Sequence, residues 1–182
     1  MPKFSRFHLA SAILAGALAV LAGTRAEAGS ASGTIAVALN VSDACVVNGA
    51  TAFTTTLGQV GAISFADQPG LFGDINASMI ATGGGNAISV LCSPGLSPTL
   101  SIDAGLHDAS SLHHLASGSN LITYHLYSDS GHTNEIHISQ SLSLGTTTSS
   151  AINVPIYAVA NSGGQVMPAG AYTDTVQVTL SW

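Results

Sequence analysis

Residues 33–41 read GTIAVALNV, with Ile35, Val37, Leu39 and Val41 on one side of an extended chain and Thr34, Ala36, Ala38 and Asn40 on the other. This period of two is the signature of a strand with one buried face, and it recurs along the chain in short pieces. Asn86–Cys92, Thr99–Asp103, Leu121–Tyr127, Ile152–Ala160 and Tyr172–Trp182 read as strands, as do Leu57–Phe65 and Glu135–Ser139. Pro155 within one of them points to an edge or a bulge, because proline gives no N–H to a ladder. Between the strands lie turn-forming stretches. The segment 66–85 reads as a loop containing Gly and Pro, 106–119 as a polar excursion, 161–170 as a Gly-rich loop, and Asp129-Ser130-Gly131 as a turn. Many short strands at this spacing, with little helix, predict a β-sandwich or barrel.

Charge divides the chain sharply. Lys3 and Arg6 precede an apolar run from Leu9 to Ala22, and Ala26-Glu27-Ala28 places small residues where a signal peptidase reads them. The run is short for a membrane span. Residues 1–28 are therefore expected to be a signal peptide, leaving a mature chain of 154 residues from Gly29, a suitable size for one domain. All three basic residues (Lys3, Arg6, Arg25) fall in the leader. The mature chain has no Lys or Arg and keeps eight carboxylates, Glu27 being the one lost. Without cations to replace counterions, nucleic-acid binding is excluded, and so is an arginine clamp on a phosphate ligand. The six histidines of the mature chain are its only source of side-chain cations. They imply that self-repulsion falls, and lateral association of copies rises, between pH 7 and about pH 5.

Cys45 and Cys92 remain as a lone pair. In an exported protein such a pair reads as a disulfide. No C-x-x-C spacing suggests a redox or zinc site.

Chemistry-bearing constellations are missing from the pattern. No Ser sits in a G-x-S-x-G elbow, no H-E-x-x-H spacing occurs, and Gly83-Gly84-Gly85-Asn86 reads as a turn rather than a phosphate loop. Asp103 and Asp108 are carboxylates a few residues apart, as many loops have. His107, His113, His114, His125, His132 and His137 read as exposed polar residues on loops, and adjacent His113 and His114 would point to opposite faces of a strand. No catalytic residue, metal ligand or cofactor is assigned, and an enzyme is not expected.

Two features are unusual for a self-contained sandwich. The 33–41 strand precedes the cysteine framework and is cleanly apolar on one face. The last strand, with Val176, Val178, Leu180 and Trp182 on one face, ends the sequence on an aromatic. Sheets usually guard exposed edges with Lys or other charge, and the mature chain has no Lys. Sticky edges and a transferable strand suit strand addition between molecules.

The order of motifs resembles the spore coat U domain family, in particular subunits of archaic, Csu-type chaperone–usher pili. The resemblance lies in GTIAVALNVSDACVV at 33–47, NAISVLCSPGLSPTLSIDAG at 86–105, ITYHLYSDSGHT at 122–133, VPIYAVA at 154–160 and MPAGAYTDTVQVTLSW at 167–182. It implies an immunoglobulin-like sandwich (43–182) that lacks one strand. A periplasmic chaperone would supply that strand in transit, and the N-terminal segment (29–42) of a neighbouring subunit would supply it in the fibre after passage through an outer-membrane usher. On this reading Ile35, Val37, Leu39 and Val41 are the donated residues, and Val176, Val178, Leu180 and Trp182 belong to a last strand that pairs with the chaperone. The single-domain length resembles a shaft subunit of a cell-surface pilus that supports adhesion or biofilm formation. The alternative reading is a self-complete secreted binding module, lectin-like or adhesive.

Overall fold

The computed structural model describes residues 28–182, so the expected leader lies outside the described residues apart from Ala28. The chain divides into two units, 1–39 and 40–182. The described part of the first, 28–39, contains no helix or ladder strand. Ile35 and Val37 are each 90% exposed and Leu39 85%, and Val41 in the second unit is 86% exposed. The alternation predicted a strand over 33–41; the segment has the pattern of one but no ladder partner.

The described residues form eleven strands and no helix: β1 (Cys45–Val47), β2 (Gly61–Ile63), β3 (Ile75–Ala81), β4 (Ala87–Cys92), β5 (Thr99–Ile102), β6 (His113–Ser117), β7 (Asn120–Tyr127), β8 (Leu142–Ser143), β9 (Ile152–Pro155), β10 (Tyr157–Asn161) and β11 (Val178–Ser181). A five-stranded sheet runs β2-β3-β10-β7-β6, and two three-stranded sheets run β1-β4-β9 and β11-β5-β8. Every pairing is antiparallel. Met79, Tyr124, Leu126 and Ala158 of the five-stranded sheet share one buried cluster with Val90, Val154, Leu100 and Ile102 of the smaller sheets. The result is a disulfide-linked, all-β sandwich, consistent with the immunoglobulin-like class.

Pro155 explains how one run of sequence serves both layers. Residues 152–155 pair with β4, whereas 157–161 pair with β3 and β7. The missing proline N–H ends the first ladder, and the chain crosses the core at Ile156, whose carbonyl accepts from Met79 N at 2.9 Å.

Several expected boundaries are corrected. The presumed loop 66–85 contains β3, whose alternation is built from Ala77, Met79 and Ala81 between Asn76, Ser78 and Ile80. Small inward residues hide the apolar face from a hydropathy reading, yet β3 has two neighbours. The presumed excursion 106–119 contains β6. The strand expected at Glu135–Ser139 is reduced to a single bridge, Tyr127 to Glu135. The one expected at Leu57–Phe65 shortens to three residues. Gly83, Gly84 and Gly85 do form a turn, all at positive φ, closed by Ala81 N on Gly85 O at 2.9 Å.

The turn after β7 is organised by Asp129, whose carboxylate accepts from the backbone N–H of Gly131, Thr133 and Asn134 and from Thr133 Oγ1. These bonds, that from Asn134 above all, hold its carboxyl below the ordinary aspartate value of 3.8. A lowered native value means that the contribution of Asp129 is complete above pH 3.8 and is lost as pH falls through the lowered value. Asp129→Ala should therefore speed amide exchange at Thr133 and Asn134 at neutral pH while leaving the β7 core amides protected. Unchanged exchange at both positions would refute the role.

Candidate functional site

β1 and β11 each have one strand neighbour, β4 and β5 respectively. Cys45 of β1 and Val178, Thr179 and Leu180 of β11 line the same groove, which has a volume of about 1220 Å³. Its floor is the sandwich interior itself, with Met79, Tyr124, Leu126 and Ala158 of the five-stranded sheet at its base. Segment 53–60 and β2 also line it, and so do Asp103 and residues 174–177 beside β11. A groove with an apolar floor thus lies between two strands that each lack a second partner.

The β11 side can be read down to individual backbone groups. Val178 stands opposite Ile102 and Leu180 opposite Leu100. One residue earlier, Asp103 N donates to Gln177 O at 3.0 Å, and Gln177 N donates to Asp103 Oδ1 at 2.7 Å. Hydrogen-bonded and non-hydrogen-bonded pairs alternate in an antiparallel ladder. Gln177, Thr179 and Ser181 therefore turn their peptide groups toward β5, and Val178 and Leu180 turn theirs away from it, toward the open edge. The side chains of Val176, Val178 and Leu180 pack against the core cluster. This edge offers both an unpaired ladder and an apolar face.

Before reaching β11 the chain runs along the other layer. Thr173 and Ala116 exchange backbone bonds at 2.9 and 3.1 Å, which covers the outer edge of β6. Between that bridge and β11 stands Asp174, its side chain 2% exposed. Asp174 accepts from Tyr124 Oη at 2.7 Å, Leu106 N at 3.0 Å and His107 Nδ1 at 3.1 Å. Gly105, at φ +79°, lets the loop approach, since a Cβ there would collide with the Asp174 carboxylate. Burial first, and the bond to Asp174 second, push the Tyr124 hydroxyl far above the ordinary tyrosine range, so it stays a donor. Asp103 sits beside this group. Its backbone carbonyl takes His113 Nε2 at 2.9 Å, and its carboxylate serves Gly105 N and Gln177 N. His113 also stacks on Tyr124 with ring centroids 5.2 Å apart.

The residues singled out from sequence separate as follows. Cys45 and Cys92 form a disulfide that ties directly opposed residues of β1 and β4. Val176, Val178 and Leu180 line the groove, and Trp182 meets Phe53 edge-on at 5.5 Å at its rim. Ile35, Val37, Leu39 and Val41 are exposed. The reading of all the histidines as exposed loop residues is corrected: His113 and His114 lie on β6, 4% and 8% exposed, His125 lies half-buried on β7, and His107 and His132 are half-buried. His114 is satisfied by Leu112 O and Thr123 Oγ1. Both imidazoles fill places in a wall where a hydropathy pattern looks for aliphatic residues. His125 and His137 instead flank Glu135, with His125 Nδ1 at 2.6 Å from its carboxylate. Among the described residues no group of three or more His, Cys, Asp or Glu is arranged to hold a metal ion. The cluster of Asp103 with the buried side chains of Asp174 and Tyr124 went unassigned in the sequence, although all three lie within the motifs that carry the resemblance.

Comparison with known proteins adds the following. No curated protein matches the chain. Among solved structures there is similarity at TM-score 0.47 and 16% identity, covering 78% of this chain, to a chain in the crystal structure of the CsuC–CsuE chaperone–tip adhesion subunit pre-assembly complex from archaic chaperone–usher Csu pili of Acinetobacter baumannii. The present chain spans 40% of the length of that chain. The family model of the Spore Coat Protein U domain matches residues 31–179, nearly all of the described sandwich and the alternating segment before it, and the chain belongs to that family.

Proposed function

We propose that this protein is a structural subunit of a chaperone–usher pilus, which polymerises when the 33–41 segment of one copy fills the groove of the next. The observation that carries this reading is the groove between β1 and β11, whose walls each lack one strand neighbour. One strand laid there would join β9-β4-β1 and β11-β5-β8 into a single sheet. It would pair with the free peptide groups of Val178 and Leu180 and place alternate side chains on the core floor. Ile35, Val37, Leu39 and Val41 repeat at the required spacing and are exposed. Burying four such side chains is worth roughly 6–12 kcal/mol as an upper estimate. A self-complete binding module would be expected to close the groove with its own chain.

In this reading residues 1–28 direct export, 29–42 form the donor segment and 43–182 the acceptor domain. A periplasmic chaperone fills the groove in transit, an outer-membrane usher delivers the subunit, and the product is a shaft on the cell surface serving adhesion or biofilm formation. Purified mature protein should form concentration-dependent polymers, and a synthetic peptide of residues 29–43 in excess should cap them as short species. A protein that stays monomeric at all concentrations and ignores the peptide would refute the proposal.

A further inference from the structure

The groove needs more than an open edge: its β11 wall has to hold position while it has one strand neighbour. β11 itself is four residues long and pairs only with β5. An isolated edge strand of that length, open to solvent on one side, is held weakly by its ladder. The residues just before it are fixed by side chains from three other places in the fold. Asp174 joins the approach to β11 to Tyr124 of β7 and to the 106–107 loop, while Asp103 at the end of β5 grips Gln177 with both its backbone N–H and its carboxylate. The carboxylate of Asp103 does this because its own carbonyl is occupied by His113 of β6. Each buried oxygen is thereby satisfied, and among the described residues no buried side-chain polar atom lacks a partner.

We propose that Asp103 and Asp174, with Tyr124, form a clasp that positions the free edge of β11 to accept a strand, and that the clasp matters chiefly while the groove is empty. This rests on the strand-accepting reading of the groove. Once a strand is seated, β11 gains a second ladder and the clasp becomes largely redundant. The Asp103 and Asp174 carboxylates and the Tyr124 hydroxyl are therefore positioning groups; the Tyr124 ring, which Tyr124→Phe keeps, also belongs to the groove floor. The backbone that does make contact belongs to Val178 and Leu180.

The test compares two forms of the mature protein. In the first, capture of a fluorescent peptide of residues 29–43 is measured for the unaltered chain, for Tyr124→Phe and for Asp174→Asn. In the second, the same substitutions are placed in a chain with an extra copy of residues 29–43 joined after Trp182, so that the groove fills itself, and thermal unfolding is measured. Removing a bond to a buried charged group should weaken peptide capture about tenfold or more, with little change in the unfolding temperature of the self-filled form. Tyr124→Phe, the milder change, keeps the result interpretable if Asp174→Asn fails to fold. Unfolding temperatures that fall as much in the self-filled form as capture falls in the open form would overturn the proposal, because the cluster would then be an ordinary part of the fold. Unchanged capture would overturn it too. If the unaltered chain captures no peptide, the strand-accepting reading of the groove is what fails.

Discussion

Leu39→Asp is expected to stop polymerisation outright while leaving the subunit folded and able to bind its chaperone. In a filled groove Leu39 would face the core floor formed by Met79, Tyr124, Leu126 and Ala158. No Lys or Arg exists after Arg25 to pair with an incoming carboxylate, so the penalty is that of an unpaired buried charge, several kcal/mol. At about 1.4 kcal/mol per tenfold, that is on the order of a hundredfold or more in strand occupancy. Ala38→Asp, one residue earlier, points to the opposite face and should polymerise nearly as well as the unaltered protein. The contrast between neighbours is the diagnostic part. Equal loss for both substitutions would show that the segment does not enter as a strand, and normal polymers from Leu39→Asp would show that it does not enter the groove.

Cys92→Ser should have the next largest effect, on stability rather than on the specificity of assembly. The bond closes a separation of 47 residues, for which chain entropy predicts roughly 4 kcal/mol. Against a typical net stability of about 5–15 kcal/mol this is a large fraction. For a domain of this size it corresponds to about 8–16 °C in unfolding temperature. Location adds to the cost. β1 is three residues long, has one neighbour, and carries Cys45 on the groove wall, so losing the bond loosens the wall opposite β11. Periplasmic yield should fall steeply, and chaperone-bound subunit should be scarce. Thiol titration of the denatured, unreduced parent protein should find no free thiol; two would contradict the disulfide.

The strands that could be read in advance are those whose inward positions carry Ile, Val or Leu: β4 with Ile88 and Val90, β5 with Leu100 and Ile102, β7 with Ile122 and Leu126. Those that escaped have unusual inward residues. β3 uses Ala77, Met79 and Ala81, and β6 uses His113 beside Leu115, with His114 and Ala116 buried on its other face. Their environment makes them strands: β3 has neighbours on both sides, and β6 is covered by the Thr173 bridge. Conversely, Glu135–Ser139 alternates well but finds a single bridge. Periodicity reports which face a strand would bury, not whether a partner is within reach.

The same distinction governs the site. The apolar faces of the two key strands were legible, because Leu39 and Leu180 sit in clean alternations. The clasp was not, because Asp174 meets Tyr124, His107 and Leu106 across separations of 50, 67 and 68 residues. Nor does any local pattern reveal that β1 and β11 would each be left with one neighbour.

The central claim is that the N-terminal segment acts on another copy and is not part of its own sandwich. Deleting Gly29 to Val41 tests it most directly, with co-purification of the chaperone and a polymerisation gel read on the same preparation. The expected result is a subunit that still binds its chaperone and forms no polymer. Loss of chaperone binding together with polymerisation would mean that the segment belongs to its own fold, and would contradict the account.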